Sequence, residues 1–212
     1  MPKSAAAVAA ALLSLLCALA HGQERLVEYV DPFIGTTNYG TTNPGARCPW
    51  GIMSVTPFNV MGSDSNTYDK DSRWWSTPYE WTNSFLTGFA HVNLSGVGCP
   101  DMSSLLLMAT TGSLEPDYHK YGTAYSEQRA EPGYYAVRLD RYGISAELTS
   151  TLRTGVSRFT FPAGESHVLL NLGEGLTNES GAFLRRRSET EIEGMKLLGN
   201  FCYDVPQAVY PI

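Results

Sequence analysis

The stretch Tyr134-Tyr135-Ala136-Val137-Arg138-Leu139-Asp140-Arg141-Tyr142-Gly143-Ile144-Ser145-Ala146-Glu147-Leu148-Thr149 decides the fold class. Tyr135, Val137 and Leu139 alternate with Ala136, Arg138 and Asp140, the period-two pattern of a half-buried strand. Asp140 to Gly143 reads as a turn, and Ile144, Ala146 and Leu148 alternate with Ser145, Glu147 and Thr149 on the return. Working outward, Val156 to Phe161 gives a third strand, closed by Pro162-Ala163-Gly164. Val168 to Leu172 is a short apolar run suited to a strand buried on both faces. A fifth strand has Thr190, Ile192 and Gly194 alternating with Glu191 and Glu193. Short strands separated by turn signals predict an all-β chain, an antiparallel β-sandwich.

The first hundred residues differ. Pro, Gly, Asn and Ser are dense from Asp31 to Gly62, and no helical pattern exceeds two turns. Long loops are expected there between short strands such as Met53-Ser54-Val55 and Leu105 to Met108. Loops longer than about 15 residues in a compact domain are usually functional. Two stretches fit that role. Arg73-Trp74-Trp75-Ser76-Thr77-Pro78-Tyr79-Glu80-Trp81 interleaves rings with polar groups. The glycine-broken segment 84–101, holding His91, Asn93, Ser95 and Asp101, runs into Leu105-Leu106-Leu107-Met108 and reads as a polar loop anchored beside a buried strand. Rings that stack on sugar C–H faces, beside donors and acceptors for hydroxyls, suit a carbohydrate.

Within these stretches Trp75, with polar neighbours, is the expected sugar platform, and Trp74 stands beside it. A burial role suits Trp81, and Trp50, between Pro49 and Gly51, is expected in the core. His91 either reaches a sugar hydroxyl or is a buried histidine satisfied by a backbone carbonyl. Asn93 shares its segment. Asp101 binds substrate or caps the next strand, and Arg47 clamps sugar hydroxyls or pairs with Asp101. Glu80 and Asp101 form the one nearby carboxylate pair that residue types alone offer as acid and base.

The chain has 212 residues, 43% hydrophobic and 17% charged, enough for a folded domain with a substantial core. Lys and Arg total 15 against 21 Asp and Glu, and the sole basic run, Arg185-Arg186-Arg187, reads as a solvated turn. No nucleic-acid partner is expected. Residues 1–22 read as a signal peptide: Lys3, an apolar stretch from Ala5 to Ala20 broken by Ser14 and Cys17, then the small-x-small site Ala18-Leu19-Ala20. The stretch is shorter than the ~20 apolar residues of a membrane span, so no transmembrane segment is expected. The bulky Leu16 disfavours lipid anchoring at Cys17. The mature domain, 23–212, is therefore expected to be exported, periplasmic or secreted. It keeps Cys48, Cys99 and Cys202, whose wide spacing does not suit zinc. Cys48 and Cys99 are expected to lie close together, both sitting in the loops thought to build the site, with their pairing left open.

Several motifs now occur in order. Val30-Asp31-Pro32-Phe33-Ile34-Gly35-Thr36, then Asn43-Pro44-Gly45-Ala46 and Pro49-Trp50-Gly51-Ile52, resembles the opening of family-92 glycoside hydrolases. Gly88-Phe89-Ala90-His91-Val92-Asn93-Leu94-Ser95-Gly96-Val97-Gly98 resembles their Gly-Phe-Ser-His-x-His-Leu-Ser-Gly-x-Gly signature. Glu131-Pro132-Gly133-Tyr134-Tyr135 and the segment from Tyr142 to Thr149 match the strands that follow. The agreement spans about residues 28 to 205. Ala90 replaces the usual Ser and Asn93 the second His, which alters hydrogen bonding in that segment.

The resemblance implies a calcium-dependent, inverting exo-α-mannosidase, here expected to be α-1,2-type and active on mannose-containing glycans. It implies an N-terminal sandwich of the galactose-mutarotase-like supersandwich type, packed against a C-terminal (α/α) barrel. The acid, the base and most calcium contacts would belong to that barrel, so no catalytic or metal-binding residue is expected in this chain. The sandwich would supply loops lining the mannose site, with Trp75 on the leaving-group side. The strand-like ends Phe201-Cys202-Tyr203 and Val209-Tyr210-Pro211-Ile212 are expected to belong to a longer polypeptide. The competing expectation is a stand-alone carbohydrate-binding sandwich without catalysis.

Overall fold

The computed structural model describes residues 25–177, 179–199, 202 and 207–209. The expected signal peptide with Cys17, Asn178, and most of the terminal strand-like segments lie outside them. Contacts divide the chain into two units, Met1–Val30 and Asp31–Ile212. Among the described residues of the first, a 3-10 turn spans Leu26–Tyr29, with an Arg25–Glu28 ion pair at 3.4 Å.

The second unit is almost wholly β. In order it contains β1 (Ala46–Arg47), β2 (Ser54–Phe58), β3 (Phe85–Leu86), β4 (Gly88–Asn93), β5 (Met102–Thr111) and one helical turn, α1 (Tyr118–Tyr121). There follow β6 (Thr123–Glu131), β7 (Tyr134–Leu139), β8 (Ile144–Ser150), β9 (Gly155–Thr160), β10 (Ser166–Asn171), β11 (Glu179–Arg186), β12 (Ile192–Leu198) and β13 (Gln207–Val209). Two five-stranded sheets form, ordered β1-β2-β4-β5-β10 and β3-β6-β7-β8-β9, with a third sheet β11-β12-β13. Among the described residues these strand pairings are all antiparallel.

The meander that decided the fold class is the centre of the second sheet. Val137 lies opposite Ala146, and Tyr135 opposite Leu148, so one residue set from each strand faces inward. Its entry turn, Pro132-Gly133, holds Gly133 at φ +80°, a conformation that favours glycine. The inward set meets Ala46, Val55, Phe89, Met108 and Ala109 of the first sheet, which makes the sandwich core. The first sheet is buried on its other face too. Ala90, next to the core residue Phe89 on β4, and its cross-strand partner Leu106 pack with Phe58, Val60, Met61, Trp75 and Leu176 in a second cluster. That cluster roofs the outer face with the long connections, which therefore contain buried aromatic residues rather than free loops.

Three strand expectations need correction. Gly88–Asn93 is no loop but an inner strand between β2 and β5, with a bulge between His91 and Asn93. Val168 is 55% exposed because β10 sits at a sheet edge, so its strand is not buried on both faces. The fifth strand begins at Ile192 and continues to Leu198; Gly194, Lys196 and Leu198 face in, while Ile192 at the hairpin end is exposed. Among the described residues, no helix is long and apolar enough to cross a membrane.

Candidate functional site

The connection from Asn59 to Ser84 is held in place by buried asparagines. Asn59 exchanges two hydrogen bonds with Glu80, its Oδ1 accepting from the amide at 2.8 Å and its Nδ2 donating to the carbonyl at 2.9 Å. Asn66 Nδ2 donates to the carbonyls of Asn59 and Met61, and Asn83 Nδ2 donates to Asn66 Oδ1. Side-chain amides pair with backbone that no sheet can satisfy, so the loop is rigid without regular structure. Asn38 clamps the tryptophan segment from the side. Its Oδ1 accepts from the Ser76 amide at 2.8 Å, and its Nδ2 donates to the Trp74 carbonyl at 3.0 Å.

Trp75 is 1% exposed. Its ring lies in the second apolar cluster, its Nε1 donates to the Asp69 carbonyl at 2.9 Å, and the Arg73 guanidinium sits 4.2 Å from the ring centroid. Trp74 is 40% exposed, and a Cβ at Gly98 would stand 3.8 Å from its ring. The tryptophan loop thus meets the segment after β4. That segment is tied down by a disulfide between Cys99 and Cys202, and the Cys202 amide donates to Asp101 Oδ2 at 3.2 Å. Between them opens a cleft of about 590 Å³, whose lining includes Lys70, Arg73, Trp74, Trp75, Pro100 and Leu176. A half-exposed indole beside charged and hydroxyl groups can stack on a sugar ring and hydrogen-bond its hydroxyls.

The structure gathers Trp74, Trp75 and the neighbourhood of Asp101, and sets the other candidates apart. His91 Nδ1 lies 2.8 Å from the Leu105 carbonyl inside the sheet, the buried-histidine arrangement left open by the sequence. Burial lowers its pKa against the opposing pull of that carbonyl. Asn93 is buried, donating through Nδ2 to Ser54 and to the Ala90 carbonyl. Arg47 Nε donates to the Gly51 carbonyl at 3.3 Å. Glu80 accepts from the Asn38 amide at 3.0 Å and from Thr82 Oγ1, a bracing role distinct from the setting of Asp101 at the disulfide. Trp50, expected in the core, is 94% exposed, because the β1–β2 connection carries it past the edge of the sheet. Trp81 is 51% exposed against Phe33, at 4.9 Å between centroids, rather than buried. Cys99 pairs with Cys202 and not with Cys48, which is a free thiol.

A calcium ion takes six or more oxygen ligands. Among the described residues the one group of potential ligands is Cys99, Asp101 and Cys202, and the disulfide removes both sulfurs, leaving a single carboxylate. These residues do not fit a calcium site. Sequence reasoning missed Lys70, which lines the cleft, its ion-pair partner Glu174, and Asn38 and Asn59, which brace the tryptophan segment from outside the cleft; for the two asparagines the density of that residue in the long loops was the available signal.

Residues 29–212 match the family model described as the glycosyl hydrolase family 92 N-terminal domain. Over 147 residues the chain is 30% identical to an uncharacterized secreted glycosidase of Arthroderma benhamiae, covering 65% of this chain and 17% of that protein. Among solved structures it resembles the GH92 α-mannosidase BT3965 from Bacteroides thetaiotaomicron in complex with mannoimidazole, at 34% identity and a TM-score of 0.74. That match covers 88% of this chain and 25% of the other. The GH92 glycosyl hydrolase ccman5 is similar at 26% identity and a TM-score of 0.68, over 87% of this chain and 25% of its own. The chain therefore spans about a quarter of the solved relatives it matches and a smaller share of the curated one.

Proposed function

Since this chain belongs to glycosyl hydrolase family 92, of which it carries the N-terminal domain, we propose that it forms the substrate-lining part of an exported α-mannosidase. The tryptophan cleft carries the reading. Trp74 and Trp75 stand on one wall of an open cleft, in a fold shared at 34% identity with an α-mannosidase solved with mannoimidazole. In the proposed enzyme a C-terminal (α/α) barrel supplies the acid, the base and most of the calcium ligands. The acid protonates the leaving oxygen while the base activates water on the opposite face, giving inversion. Calcium, held by the barrel, would supply electrostatic stabilisation of the sugar oxygens. The sandwich holds the rest of the glycan, a terminal α-1,2-linked mannose being the expected substrate within N-glycan processing, with the half-exposed Trp74 as its proposed ring contact.

Expression of the gene through any barrel-coding continuation, followed by release of mannose from α-1,2-mannobiose with and without a calcium chelator, tests this. Calcium-dependent release with inverted product supports it. Measurable mannobiose binding by the 212-residue chain with no hydrolysis in either form would favour a stand-alone carbohydrate-binding sandwich.

A further inference from the structure

Behind the cleft, two nearly inaccessible lysines meet at one glutamate. Lys70 Nζ, on a side chain 1% exposed, lies 2.9 Å from both carboxylate oxygens of Asp71 and 3.1 Å from Glu174 Oε2. Burial works against its charge, but hydrogen bonds and attraction from Asp71 and Glu174 outweigh burial and raise its pKa. Lys196, fully buried on β12, donates through Nζ to the Ser104 carbonyl at 2.9 Å and to the Glu174 carbonyl. Glu174 is also fixed from below, its amide donating to Asn171 Oδ1 at 3.0 Å at the end of β10. One residue therefore engages the tryptophan loop by its carboxylate, β12 by its carbonyl and β10 by its amide.

The position matters because Glu174 starts one wall of the cleft and Lys70 starts the other. Two residues beyond Glu174, the Leu176 amide donates to the Met102 carbonyl, and the Leu176 side chain packs in the cluster that holds Trp75. Thr177 Oγ1 donates to the Gly199 carbonyl across the cleft rim. From Lys70 the chain runs directly through Asp71, Ser72 and Arg73 to the two tryptophans. Burying this lysine among carboxylates is costly unless its geometry is held, so the ion pair is better explained by fixing the two walls than by adding stability. Resting on the proposal that this cleft receives sugar, we infer that Glu174 is a positioning residue: through Lys70 it holds the tryptophan wall at a set distance from the Leu176–Thr177 wall and so sets affinity for the glycan.

The test uses Glu174→Gln, which keeps the backbone carbonyl and the shape, and Glu174→Asp, which keeps the charge but withdraws it by one methylene. In the intact enzyme, hydrogen exchange at the amides of residues 70–77 should speed up by about tenfold in Glu174→Gln, as loss of one charged hydrogen bond implies. Exchange in β7 and β8 should not change. The KM for mannobiose should rise by a similar factor with kcat nearly constant, and Glu174→Asp should fall between the two. Unchanged exchange at 70–77, or faster exchange throughout β7 and β8 in both variants, overturns the positioning role. Faster exchange confined to 70–77 with KM unmoved keeps the tie between the walls but overturns this cleft as the sugar site, and the affinity claim with it.

Discussion

Replacing Trp75 by alanine tests whether this ring is a wall or a platform. The indole is 1% exposed, packs with Phe58, Val60, Met61, Ala90, Leu106 and Leu176, and donates one hydrogen bond to Asp69. Truncating a buried tryptophan costs about 3–5 kcal/mol in transfer and cavity terms, and the lost hydrogen bond adds about 1 kcal/mol. The ring borders an open cleft, so water enters part of the vacated space and the lower end of the sum, about 4 kcal/mol, is expected. For a domain of this size that lowers the melting temperature by roughly 8–16 °C. Trp74, 40% exposed, contributes little burial, so Trp74→Ala should leave the melting temperature within roughly 2 °C while weakening mannobiose binding by about 1–3 kcal/mol. Trp50→Ala, at a side chain 94% exposed, should be neutral for stability. Calorimetric melting of the three variants, with disaccharide titration of each, makes the comparison. A Trp75→Ala protein that melts like the parent but loses sugar binding would refute the burial argument and restore Trp75 as the platform.

Other outcomes follow from named contacts. The Cys99–Cys202 bond closes a loop of sequence separation 103, so its removal in Cys202→Ser should cost about 4–5 kcal/mol in guanidinium unfolding; a count of three thiols in denatured, unreduced protein lacking residues 1–22 would instead show that no such bond forms. Gln128 Oε1 accepts from the hydroxyls of Tyr79 at 2.8 Å and Tyr135 at 2.7 Å, so Gln128→Leu should destabilise by about 1–3 kcal/mol per hydroxyl left unpaired, with partial recovery on adding Tyr135→Phe. No recovery in the double variant would show that the pairing is not what the substitution removes. Burial pushes the Tyr121 hydroxyl up to about 12 and raises Tyr79, Tyr125 and Tyr135 as well. Unfolded tyrosine ionises near 10, so this stabilisation is complete below pH 10 and is lost as pH rises towards 12, by about 1.4 kcal/mol per pH unit for each tyrosine. A native phenolate titration in which all 12 tyrosines ionise near 10 would contradict that.

The sandwich was legible because alternation is a local property: Tyr135 to Leu148 faces the same core in the structure as its period-two pattern requires. Gly88–Asn93 was not legible as a strand, since its glycine and polar residues mimic a loop. Only the pairing with β2 and β5 shows that both faces are covered, so its polar atoms are satisfied inside the sheet. The aromatic stretch by itself pointed to a tryptophan-bearing site, but the neighbours that marked Trp75 as platform and Trp50 as core misjudged which ring is exposed: Trp74 and Trp50 are open and Trp75 is buried. Exposure depends on which distant segments fold over a ring, and those segments come from residues 58–61, 90, 106 and 176. The same holds for Cys99, whose partner lies 103 residues away, and for Lys70 and Glu174, which look like surface charges in sequence. Composition and periodicity settle which residues turn inward along one strand; long-range packing alone decides which of them line a cleft, because proximity between distant segments leaves no local trace in the chain.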